Sequence, residues 1–128
     1  MHTLFATLIS LALLVQTAGA PGRVVNLVLP RSLSANEVVW VELKLGVLTR
    51  GDEVEVQTTS GKTLGVISPY GVRSGTEAGT YTLAVPPEAI SNRRASLRII
   101  LNQTNRGKRA PTVKELRSVR LKITSATN

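Results

Sequence analysis

Val38-Val39-Trp40-Val41-Glu42-Leu43-Lys44-Leu45 alternates over its whole length. Val39, Val41, Leu43 and Leu45 share one side, while Val38, Trp40, Glu42 and Lys44 share the other. Successive side chains of a strand point to opposite faces, so an apolar side of period two marks a half-buried β-strand. The pattern recurs on both sides of this stretch. Arg23–Leu29 aligns Val25, Leu27 and Leu29 before Pro30. After a turn at Arg50-Gly51-Asp52, Glu53–Thr58 places Val54 and Val56 opposite Glu53, Glu55 and Gln57. Ser60-Gly61-Lys62 reads as a hairpin tip leading into Thr63–Ser68. Thr80–Val85 aligns Tyr81, Leu83 and Val85 before Pro86-Pro87, Ser96–Asn102 aligns Leu97, Ile99 and Leu101, and Arg117–Thr124 aligns Val119, Leu121 and Ile123.

No helical period outlasts a turn or two. Glu88–Ile90 and Thr112–Leu116 read as single turns, the second with Thr112 and Glu115 at capping-box spacing. A sheet with one apolar face must cover it, and without a long helix the cover is a second sheet. The chain therefore reads as all-β: a seven-stranded antiparallel β-sandwich, immunoglobulin-like or jelly-roll. Its closing part, Leu97–Leu101, a basic loop, then Ser118–Ile123, resembles the last strands of galactose-binding-like jelly rolls.

Ahead of this domain, Leu4–Val15 is an uncharged apolar run, followed by Gln16-Thr17 and the small-x-small sequence Ala18-Gly19-Ala20. The run is shorter than the about 20 apolar residues a permanent membrane span needs, and its ending suits a signal peptidase. Residues 1–20 are thus expected to be a cleaved signal peptide, and residues 21–128 one exported domain. A cysteine-free domain of that size fits a bacterial periplasm or a secreted location, with no membrane anchor after cleavage.

Composition excludes much chemistry. The one histidine, His2, lies in the leader, and there is no cysteine, so His- or Cys-based nucleophile systems and imidazole or thiolate metal sites are absent from the domain. Asp52 is the one aspartate, which argues against a calcium loop. Glu53 and Glu55 alternate outward as on a solvated strand, and a Ser60/Lys62 pair on a hairpin tip lacks the desolvation that activates a serine. No enzyme, metal or cofactor is expected.

Three features remain as binding candidates. From Arg93 to Lys122 there are ten basic residues against one acid, Glu115, whereas Pro21 to Asn92 carries six basic and seven acidic residues. Arg98, Arg120 and Lys122 point away from the apolar positions of their strands, and Arg106, Lys108 and Arg109 crowd the loop between those strands. If the two strands are neighbours, one outer face is basic and attracts polyanions. The plainer reading is a solvated face that keeps a small domain soluble. Trp40 lies on the polar side of its strand, as a sugar-stacking ring or as a ring covered by a neighbouring segment. The connection Ser68–Gly79 holds Gly71, Gly75 and Gly79 and offers Tyr70 and Arg73 as a ligand edge, or serves as a crossover between sheets.

The expected function is binding of an acidic polysaccharide or other anionic envelope polymer through the basic C-terminal residues. Nucleic acid is disfavoured by location and by the scarcity of aromatics for base stacking. The alternatives are a structural or protein-interaction module of a bacterial envelope assembly and, third, a neutral-sugar lectin centred on Trp40.

Overall fold

The computed structural model describes residues 20–126, so the signal-peptide reading of residues 1–20 falls, Ala20 apart, outside the described residues. Eight strands form: β1 (Arg23–Val28), β2 (Glu37–Val47), β3 (Glu53–Thr58), β4 (Thr63–Ile67), β5 (Glu77–Val85), β6 (Arg94–Gln103), β7 (Gly107–Arg109) and β8 (Leu116–Ser125). All seven expected strands are present. The count of seven is corrected by β7, whose three residues carry no apolar alternation to read. It arises because Asn105 and Gly107 adopt left-handed φ values of 64° and 90°, folding the chain back onto the end of β6.

The strands make two antiparallel sheets in a β-sandwich-like arrangement. One has the order β1-β6-β3-β4, with β7 also on β6; the other has the order β5-β2-β8. β3 takes one edge of β6, and β1 and β7 share the other end to end. The apolar sides found by alternation meet between the sheets. Val39, Val41, Leu43 and Leu45 of β2 and Leu116 of β8 face Val54 and Val56 of β3 and Leu97, Ile99 and Leu101 of β6, all buried in one cluster. Ile100 is also buried although it lies on the outer phase of β6, because the backbone at Gly22 packs against it and Arg98.

Two connections show how local chemistry sets the path. Pro87–Ala89 is a single 3₁₀ turn that leaves β5 at the prolines. At Thr112–Glu115 the capping box forms: the Thr112 N–H donates to Glu115 Oε1 at 2.8 Å and the Glu115 N–H to Thr112 Oγ1 at 3.3 Å. That turn delivers Leu116 into the core and lets the Gly46 N–H donate to the Glu115 carbonyl at 2.8 Å, beside the register shift between Lys44 and Leu45. No described helix is long and apolar enough to cross a membrane.

Candidate functional site

β6 and β8 belong to different sheets, which corrects the supposition that they lie side by side. Arg98 sits on the outer face of the larger sheet, opposite Val24 of β1 and Gln57 of β3. Arg120 and Lys122 sit on the outer face of the smaller sheet. The alternating pattern says which residues share a side of one strand, but strand neighbourhood depends on pairings far along the chain.

On the smaller sheet the structure brings together side chains that were separate candidates. β2 is the central strand, and its polar side meets β8 on one flank and β5 on the other. Trp40 lies between Lys122 and Ala84, Glu42 between Arg120 and Thr82, and Lys44 between Ser118 and Thr80. Arg120 Nε donates to Glu42 Oε1 at 2.7 Å, and Lys122 Nζ stands 3.3 Å from Glu42 Oε2. The Arg120 hydrogen bond, aided by Lys122, holds the Glu42 carboxyl below the usual carboxylate range. The half-buried indole of Trp40 is oriented by its N–H, which donates to Thr124 Oγ1 at 2.8 Å. Lys44 has no ion-pair partner among the described residues. The face thus combines a fixed aromatic ring, hydroxyls and three cations around one carboxylate. Glu42 and Lys44 were visible on the polar side of β2, but their joining to β8 required the β2–β8 register.

The remaining basic candidates are dispersed. Lys108 lies on the larger sheet with its Nζ 3.4 Å from Glu55 Oε1. Arg106 is exposed at the tip of the β6–β7 turn. Arg109 points to the end of the sandwich, where Nη1 and Nη2 each donate to Glu115 at 2.8 Å and Nε donates to Gln103. Its donors are committed, which makes it a brace for the 112–115 turn. Arg93, counted in the same basic excess, has φ 63°; it donates to the Leu29 carbonyl at 2.8 Å and accepts the Leu29 N–H at 2.7 Å, tying buried Leu29 to the start of β6.

Tyr70 and Arg73 line an open cleft of about 460 Å³ between the turn 48–53 and the connection 68–78. Gly71, Gly75 and Gly79 of that connection adopt φ values of 77°, 83° and 109°, the backbone freedom their spacing implied. Arg50 and Asp52 join the lining; the alternation pattern carried no signal for them, since they lie in a turn. A second groove of about 400 Å³ lies at the opposite end of β3, with Lys62 3.2 Å from Glu88. Of the carboxylates considered for chemistry, Glu53 accepts the Ser68 hydroxyl, and Glu55 accepts from Gln57 and Thr63. Ser60 pairs with the Thr58 hydroxyl. No group of three or more His, Cys, Asp or Glu side chains is placed to hold a metal among the described residues.

The chain matches no protein-family model, no curated protein and no solved structure at a significant level.

Proposed function

We propose that the protein is an exported, non-catalytic binding module that recognises an acidic glycan or other anionic envelope polymer through the outer face of the β5-β2-β8 sheet. The observation that carries this reading is the convergence of Trp40, Lys122, Arg120 and Lys44 on one face, with Glu42 held between two of the cations. A ring held by its own N–H offers a platform for the apolar side of a sugar. The cations supply the salt-sensitive attraction, and the hydroxyls of Thr80, Thr82 and Ser118 supply hydrogen bonds between them. Within the β-sandwich reading, β2 with β5 in one sheet and β3 with β6 in the other are shared with an immunoglobulin-like fold, whereas β8 beside β2 and β1 beside β6 depart from its partition, so the order favours neither it nor a jelly roll.

The test is binding of the purified protein to an array of neutral and acidic glycans at low and physiological salt. Selective acidic binding is expected, with R120Q/K122Q reducing affinity roughly tenfold or more, or about 1.4 kcal/mol, and R98Q leaving it unchanged. Equal adhesion of both variants and the parent to every polyanion returns these residues to ordinary surface charge. A second reading, a protein-interaction module of an envelope assembly, is favoured by one observation: edge strand β1 displays Val24 and Val28 at 44% and 61% exposure. An exposed edge invites strand addition. A partner retained from envelope extract at high salt, and lost on introducing V24K/V28K, supports that reading.

A further inference from the structure

The cleft between the turn 48–53 and the connection 68–78 carries a chemistry distinct from that of the Trp40 face. Arg50 and Arg73 line it, both exposed and neither with a side-chain partner among the described residues. Asp52 lines it too, at 5% exposure, and its Oδ2 is closed off from solvent with no hydrogen-bond donor. Arg109 feels the Asp52 charge, but its own donors go to Glu115, Gln103 and the Ala110 carbonyl. Glu53, the other carboxylate of the lining, is occupied by the Ser68 hydroxyl. Tyr70, 85% exposed, belongs to the same lining.

These groups are complementary to one kind of molecule. A buried carboxylate without a donor is destabilising; Oδ2 is closed off, so an incoming O–H meets this carboxylate at Oδ1, which takes no donor among the described residues. Arginine presents forked donors that match a carboxylate. An exposed phenol ring stacks on the apolar side of a sugar ring. We propose that this cleft binds a sugar acid, a hexuronic acid residue, with its carboxylate at Arg50 and Arg73, a ring hydroxyl donated to Asp52 and its apolar side against Tyr70. Opposite charges in one lining favour a ligand that carries both an anion and hydroxyl donors over a simple anion. The site is separate from the Trp40 face and does not depend on polymer binding there.

The experiment is titration of the purified protein with D-glucuronate, with glucose and acetate as controls, followed by calorimetry and by amide chemical shifts. Glucuronate is expected to bind at least roughly tenfold more tightly than either control, a difference of about 1.4 kcal/mol. Shifts are expected at residues 48–53 and 68–78. R50A/R73A, altering two exposed side chains, is expected to abolish binding without moving Tm. D52N is expected to weaken binding roughly tenfold. Trp40→Ala is expected to leave glucuronate binding intact. Equal binding of glucose or acetate, undiminished binding in R50A/R73A, or shifts confined to the Trp40 face overturns the proposal. The last of these outcomes leaves the acidic-glycan reading of that face standing.

Discussion

At Gly46, one missing side chain lets two segments of the chain cross. The Lys114 carbonyl oxygen stands where a Cβ would be, and the obstacle is backbone held by the Thr112–Glu115 capping box and by Gly46's own hydrogen bond to Glu115. Gly65 presents a milder case, since an added Cβ there meets only the end of the Leu83 side chain. Gly46→Ala is therefore expected to cost about 2–3 kcal/mol and Gly65→Ala about 1 kcal/mol, because a side-chain end can rotate away and a pinned carbonyl moves only with its strand. Urea unfolding midpoints check this, and a Gly46→Ala protein as stable as the parent removes the argument. Nothing in the sequence marks Gly46 as a crossing point. The Thr112/Glu115 spacing was legible because a capping box is a local motif, and the position of its turn against β2 was not.

Each sheet is organised around one central strand. β2 is hydrogen-bonded on both edges along most of its length, and β6 is flanked by β3 on one edge and by β1 and β7 on the other. β4 and the three-residue β7 have one paired edge each. Local opening follows burial and pairing, so the slowest amide hydrogen exchange is expected in residues 39–45 and 97–101, and the fastest strand exchange in β4 and β7. Protection in β4 or β7 equal to that of β2 contradicts this ordering. Alternation in Val38–Leu45 and Ser96–Asn102 identified both central strands and their inward residues. It carried no information on centrality, because a central and an edge strand with the same buried face share one pattern. Ile100 shows the same gap: it sits out of phase yet is buried, through a contact with the segment at Gly22.

Across the molecule, ion pairs join the acidic first part of the chain to its basic last third. Arg120 and Lys122 meet Glu42, Lys108 meets Glu55, and Arg117 meets Glu77 at 3.1 Å. The Arg31 guanidinium, followed by the Ser34 N–H, pulls the Glu37 carboxyl down to about 2. Hydrogen bonds from Gln57 to Glu55 and from Arg109 to Glu115, and a backbone hydrogen bond at Glu88, lower those carboxyls as well. A carboxyl with a depressed native pKa adds stability above its unfolded value of about 4.3 and loses it as pH falls, because the unfolded chain takes up the proton first. Thermal stability is therefore expected to hold near neutrality, to fall below about pH 5, and to keep falling toward the Glu37 value of about 2. A melting temperature constant from about pH 6 to about pH 3 contradicts it.

The basic excess that reads as a single surface in the sequence is spread over both sheets in the folded molecule, and four of its ten cations, Lys108, Arg117, Arg120 and Lys122, pair with carboxylates from the first part of the chain. Period-two alternation is a property of adjacent residues. The strands, their inward faces, the all-β class and the local turns were accordingly readable from Val38–Leu45 outward. Which strands pair, which cations keep a free charge and which rings share a face depend on contacts such as that of Trp40 with Thr124, which are 84 residues apart. Contacts at that separation form only when two sheets close on a common core, and the order of residues along the chain does not encode them locally.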